Sequence, residues 1–288
     1  MRQTITSEVL VAYSECRRKG FLLLCTTEQG SVPEYTKILE QRKRENQRRY
    51  INAFKQQNCD VRPFVQDSLT HGGEFLVDAI LRIEKLEVTC AILRKADSHS
   101  SLGDYSYEPI AFASTHGISK EQKLDLLFAG YVLGQIQHKL PMTGRIIGMD
   151  GRSHAVNLES SIDTLVRFLE PLQEWSTAPA PETPPVILNR HCPYCQFQDL
   201  CRGKAEQEDN LSLLSGITPK MIRGYEKKGI FTVKQLSYLF KSRKKKKRVK
   251  SRITHKPELQ ALAIRTGKIY LQELPQLSKQ PIEGILGH

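Results

Sequence analysis

Phe75-Leu-Val-Asp-Ala-Ile-Leu81, Val88-Thr-Cys-Ala-Ile-Leu93 and Tyr105–Phe112 follow one another as short apolar runs. Turn-forming residues punctuate them, at Gly72-Gly73 and in Ser101-Leu-Gly-Asp104. Runs of this length bounded by turn residues read as strands. Residues 119–138 then change period. Ser119 is a cap, Glu121 and Gln122 fall in the first turn, and Leu124, Leu127, Phe128, Tyr131, Val132 and Ile136 make a helical stripe. Two short strands, Gly144–Met149 and His154–Leu158, and a helix over 160–175 complete the pattern. Upstream, Thr6 or Ser7 caps a helix over 5–15, and a polar helix rich in Arg, Lys, Gln and Glu spans 34–57. Its arginines Arg42, Arg44, Arg48 and Arg49 suit nucleic acid, or equally a solvated face with internal charge pairs. Helices, a strand run, a helix, more strands and a helix give an α/β fold.

The second informative stretch is His191-Cys-Pro-Tyr-Cys-Gln-Phe-Gln-Asp-Leu-Cys-Arg202. A short turn with thiolates at Cys192, Cys195 and Cys201 can wrap three sulfurs around one metal centre. A fourth ligand must come from elsewhere, and Cys16 would pin the N-terminal region to this segment. His191 is a poor fourth ligand, because adjacent residues seldom converge on one ion. Cys25, Cys59 and Cys90 have no partner by spacing and read as small buried residues. Seven cysteines including a Cys-x-x-Cys fit metal ligation in a reducing compartment better than a disulfide framework. No apolar run is long enough to span a membrane, and Met1–Glu8 lacks the apolar core of a secretory signal. The expectation is a cytoplasmic protein.

At 39% apolar residues, the chain of 288 can bury a core. Its net charge of +12 is concentrated: Lys241–Arg252 holds nine basic residues and no acidic one. Lys244, Lys245, Lys246, Lys247 and Arg248 form the heart of that run, which attracts phosphate backbones without reading sequence, or serves as a solvated linker. Ser176-Thr-Ala-Pro-Ala-Pro-Glu-Thr-Pro-Pro185 reads as a stiff extended linker. Leu214-Ser-Gly-Ile-Thr218 and Lys228-Gly-Ile-Phe-Thr232 form a small repeat, with Thr218 capping a helix that has Pro219 at its first position. Gly229 ends that helix and Thr232 caps the next. The reading is a helix-hairpin-helix whose turns at Gly216 and Gly229 can hold a DNA phosphate, or a helical hairpin used for packing.

Together, the opening Thr6-Ser-Glu-Val-Leu10 and Cys16-Arg-Arg18, the Glu40–Tyr50 helix, the late cysteines and Leu211–Leu236 resemble the RecB-type iron–sulfur nucleases. These belong to the PD-(D/E)XK superfamily, and the chain looks most like members that carry a ribonuclease H-like domain further on. The resemblance covers nearly the whole length. It implies a restriction-endonuclease-like core with a four-cysteine metal clamp and a C-terminal helix-hairpin-helix. It also implies a [4Fe–4S] cluster on Cys16, Cys192, Cys195 and Cys201, with zinc as the alternative for four thiolates. The parts run as a nuclease-fold domain with clamp over 1–205 (linker 176–187), the hairpin over 206–240, a basic linker over 241–257, and the start of a further region over 258–288.

The activity that the resemblance implies is Mg²⁺- or Mn²⁺-assisted hydrolysis of DNA phosphodiesters. An Asp on one strand and an Asp or Glu on the next hold the ion, and a Lys two residues later orients water. The slots fall on Ala91, Ala111 and Ala113, all alanine. A displaced site would use Asp78 and Glu108 as its carboxylates, with Lys120 as a migrated lysine. The alternative is a catalytically inactive nucleic-acid-binding fragment. Tyr131 stands where related enzymes carry the Tyr of a Gln-x-x-x-Tyr pair, with Leu127 in the Gln slot, and reads as a core residue. Pro257–Leu271 reads as a helix followed by a strand. The ribonuclease H-like domain is expected to be a separately encoded partner, or to be missing from a truncated gene.

Overall fold

The computed structural model describes residues 4–65, 67–241 and 256–270. These fall into two compact units, one within 1–185 plus 189–200, the other within 186–188 plus 201–288. Among the described residues, no helix is long and apolar enough to cross a membrane.

The first unit is an α/β fold around a mixed seven-stranded sheet. Its strands are β1 (Ile5–Thr6), β2 (Val61–Pro63), β3 (Phe75–Ile83), β4 (Leu86–Ala96), β5 (Ser106–Phe112), β6 (Thr143–Ile147) and β7 (Ser153–Asn157). The order is β2-β3-β4-β5-β6-β7, with β1 joined in parallel to β4. Neighbours β3, β4 and β5 run antiparallel, while β6 runs parallel to β5. Parallel neighbours need a crossover, and α5 (Lys120–Ile136) supplies it. It opens with a full capping box, Ser119 Oγ accepting from Gln122 N and Gln122 Oε1 accepting from Ser119 N. Leu126, Phe128, Val132 and Leu133 on this helix are all buried, on more than one face. A helix apolar nearly all round belongs inside, and α5 packs against β3, β4, β5 and β6 as well as α1 (Ser7–Glu15) and α6 (Ile162–Thr177).

Where β6 does not yet flank β5, one side chain takes its place. Gln137 is fully buried; its Oε1 accepts from Tyr107 N at 2.9 Å, and its Nε2 donates to Tyr107 O at 3.2 Å and Lys139 O at 2.9 Å. The amide continues the ladder along a strand whose polar groups would otherwise be unpaired. On the opposite sheet face lies α3 (Glu34–Gln56), which sends Tyr50, Ile51 and Phe54 onto Phe75, Ile92, Ile110, Phe112 and Ile147. The buried Asn46 anchors it: Nδ2 is shared among the carbonyls of Ala113, Ile147 and Gly148 at 3.1–3.2 Å.

Several expectations shift. Thr6 caps α1, its Oγ1 accepting from Val9 N. A further helix, α2 (Arg17–Cys25), follows directly, and a short helix α4 (Ser68–His71) precedes β3. The proline stretch, expected to be a linker, is tied down, because Arg18 Nη1 donates to Pro184 O at 2.6 Å. Residues 186–188 belong to the second unit because Ile187 packs on its apolar cluster.

That cluster joins Leu211, Leu214, Ile222, Val233, Leu236 and Ala261. It is built from α8 (Pro219–Glu226), α9 (Val233–Ser237) and α10 (Pro257–Thr266), with a 3-10 turn at Leu211–Leu213; the later part of α7 (Gln198–Gln207) also belongs to this unit. Thr218 and Thr232 cap α8 and α9 as expected, and Gly216 and Gly229 take left-handed backbone (φ 73° and 75°). α10 ends at Thr266, and 267–270 are not a strand; Leu271 lies outside the described residues. Tyr225 Oη donates to Glu258 Oε1 at 2.9 Å, holding α10 to α8. Burial, followed by that carboxylate, pushes the phenol pKa from 10 up to about 12.

A raised folded-state pKa gives stability that is complete below pH 10 and lost as pH climbs towards 12. Melting curves of Tyr225→Phe and the native chain between pH 8 and pH 12 are expected to converge at the alkaline end. A constant gap would show that the phenol proton contributes nothing.

Candidate functional site

A cleft of about 690 Å³ opens in the first unit between α3, α5, the start of α1 and strands β3–β5. The twist of β3 and β4 creates it. Phe75 and Val77 pack beneath α3, whereas Ala79 and Leu81, of the same parity, pack on the α5 side. On β4, Cys90 and Ile92 switch sides in the same way. A period of two forbids this without a local break. The break is Asp78, whose φ of 56° is left-handed, inside an otherwise extended strand.

Register then places the site. Val77 pairs with Ile92 and Ala79 with Cys90, so Asp78 stands beside Ala91. Ile92 pairs with Ile110, which brings Ala91 beside Ala111 one step on. Asp78, Ala91 and Ala111 thus form one row across three strands, and all three line the cleft. Ala113 does not; it is fully buried in the core beneath α5. Glu108 does not line it either. Its two carboxylate oxygens accept from Arg94 Nη2 at 2.7 Å and Thr143 Oγ1 at 2.9 Å. Lys120 is the first residue of α5 and lies outside the cleft lining; the lysine that lines it is Lys43, on α3. Leu127 is buried and Tyr131 half-buried against the core.

α3 faces this row with both charge signs. Gln47 Nε2 donates to Asp78 Oδ1 at 2.8 Å, Lys43 lies 3.8 Å from Asp125 on α5, and Arg44 lies 3.4 Å from Glu40. Arg48 also lines the cleft and has no carboxylate partner among the described residues. Glu8 and Glu87 complete its charged rim, the latter held by Arg82 at 2.6 Å. Cys90 sits at the floor, and burial above all pushes its pKa up to about 12, which leaves an inert neutral thiol. Gln47, Lys43 and the φ of Asp78 escaped the sequence reading, since only tertiary packing places them opposite β3–β5.

The cysteine turn forms a second feature. Cys192–Tyr194 is one 3-10 turn, with Cys195 N donating to Cys192 O at 3.0 Å. Asn189 N donates to Cys192 Sγ at 3.2 Å, an amide poised to favour a thiolate there. Burial raises the pKa of both Cys192 and Cys195, and Cys16 is near enough to add to each. A β-carbon at Gly30 would collide with the Gln196 carbonyl, so glycine is what lets this turn seat against residues 26–33. Cys201 is on α7 and falls in the second unit. Among the described residues, no three His, Cys, Asp or Glu side chains are already gathered closely enough to hold an ion.

Lys244–Arg248 lie outside the described residues. No protein-family model matches the chain, and no curated protein does.

Asp78→Gly removes the left-handed penalty of a residue with a β-carbon, at the expense of one exposed hydrogen bond. It is expected to raise unfolding free energy by up to about 1 kcal/mol in urea titrations, with Asp78→Val lowering it. Equal stability of the three chains would show that the backbone at this position relaxes freely.

Proposed function

We propose that the first unit is a RecB-type nuclease fold that binds nucleic acid in this cleft and has lost the carboxylate pair of hydrolysis. The row Asp78, Ala91, Ala111 carries the reading. The two positions that the resemblance assigns to metal-binding acids lie side by side, line one cleft, and are alanine. The topology is in accord: a helix, three antiparallel strands, a crossover helix and a strand parallel to the third. Lys43, Arg44 and Arg48 offer cations to a phosphate backbone above the row. A divalent ion held by this row does not fit, because the row supplies one carboxylate where the two-acid site that the resemblance implies needs two; of the other lining carboxylates, Glu40, Glu87 and Asp125 are already paired with Arg44, Arg82 and Lys43. No hydrolytic step is therefore assigned.

Cys16, Cys192 and Cys195 suit a thiolate-held centre, with Cys201 as the fourth ligand of a [4Fe–4S] cluster or zinc. The half-buried thiols of Cys192 and Cys195, each near enough to Cys16 to feel its charge, and the Asn189 amide on Cys192 Sγ support this. Such a centre would act as a clamp, closing a loop between α1 and the late turn. In the second unit, the left-handed Gly216 and the Thr218 cap at the start of α8 favour the helix-hairpin-helix reading with a DNA contact.

The native chain, purified anaerobically, is expected to leave single- and double-stranded DNA uncut with Mg²⁺ or Mn²⁺. Ala91→Asp combined with Ala111→Glu, served by the resident Lys43, is expected to restore metal-dependent cleavage. Cleavage by the native chain that is abolished in Asp78→Ala would instead establish a displaced centre and overturn the reading.

Elemental analysis of the anaerobic protein is expected to find iron and acid-labile sulfide, and Cys192→Ser to lose them together with several degrees of melting temperature. Full melting temperature in a metal-free Cys192→Ser chain would refute the clamp.

A further inference from the structure

Two aromatic rings stand in solvent at the start of α3. Tyr35, on the first turn of α3, is 50% exposed, and Tyr194, between the two cysteines of the late turn, is 58% exposed. Their centroids are 5.5 Å apart with planes tilted by 45°. Neither hydroxyl has a hydrogen-bond partner among the described residues, so polar anchoring does not account for the pair. Exposed aromatic rings of this size need a reason.

A groove runs from the first turns of α3 to the cleft. Next to Tyr35, Thr36 begins a smaller cavity of about 190 Å³ that runs between α3 and the start of α5. That cavity shares Glu40, Lys43, Ala111 and Asp125 with the main cleft. At about 1.5 Å of rise per helical residue, Tyr35 lies roughly 18 Å along α3 from Gln47, the partner of Asp78. That distance spans a few nucleotides. Unpaired bases stack on aromatic faces, whereas bases in a duplex already stack on one another. Arg48, with no carboxylate partner among the described residues, and the exposed, loosely paired Arg44 are cations available to such a strand's phosphates.

We infer that Tyr35 and Tyr194 form a stacking platform for single-stranded nucleic acid, which runs from there along α3 into the cleft. The inference rests on the cleft being a nucleic-acid site, and it adds the substrate class: unpaired strand rather than duplex. It also gives the cysteine turn a second task, because the 3-10 turn closed by Cys195 N on Cys192 O carries Tyr194.

The test is fluorescence anisotropy at one fixed salt concentration with labelled oligothymidylate, the matching oligouridylate, and the thymidylate annealed to its complement. The native full-length chain is expected to bind the single strands at least tenfold more tightly than the duplex. Tyr35→Ala with Tyr194→Ala is expected to lose at least tenfold on single strands and little on duplex, while Tyr35→Phe with Tyr194→Phe keeps native affinity. Both tyrosines are exposed, and circular dichroism checks that the variants fold. Arg44→Glu with Arg48→Glu is expected to weaken every probe. If that arginine variant loses binding while the double alanine variant binds single strands as tightly as the native chain, the platform is refuted and the cleft reading stands. If the arginine variant binds every probe as the native chain does, the cleft reading fails and the platform with it.

Discussion

β5 and β6 run parallel, so the chain must leave one end of the sheet and come back to the other, and α5 is the segment that returns it. Because α5 lies on the sheet and is covered in turn by α1 and α6, it must be apolar nearly all round. The remaining architecture adapts to that helix. Gln137 at its end repairs the unflanked stretch of β5, and α3 is left to cover the opposite face. α3 covers only part of it, held at one point by Asn46 on three carbonyls. The uncovered part, between α3 and α5, is the cleft.

One backbone outlier sits in the cleft. A left-handed aspartate in mid-strand costs free energy, and here it turns two strands so that a row of three residues faces one opening. Such outliers persist where surrounding structure over-determines them, and they gather at functional positions. On the proposed reading, the alanines beside that aspartate leave a nuclease row without its metal ligands. The charged lining is mixed, with Lys43, Arg44 and Arg48 facing Glu8, Glu40, Asp78, Glu87 and Asp125.

The α/β order and its main helices were legible in the sequence because their signals are local. Ser119 with Gln122, and Thr232 with Gln235, satisfy amides within one turn, so capping needs no tertiary help. The three strands were visible because apolar runs between turn residues have few other uses. β1 and β2 were not, since two or three residues are too short to show a period. α2 was not either, with a basic start and Gly20 in its middle; its helix is held by packing of Phe21, Leu22 and Leu24. The proline stretch read as a free spacer because nothing local reveals that Arg18, far away in sequence, binds the Pro184 carbonyl.

By itself, the sequence determined which residue types were available: three late cysteines at metal-ligand spacing, arginines on one long helix, and alanines at the positions that the resemblance to RecB-type nucleases assigns to acids. Tertiary structure alone decided which of them meet. It placed Ala91 and Ala111 in one row with Asp78, turned Glu108 away to Arg94 and Thr143, buried Ala113, and brought Lys43 and Gln47 over the row from α3. The physical reason is that strand register and helix packing are long-range. A one-residue shift in either would send a different set of side chains into the cleft, and no local pattern reports that choice.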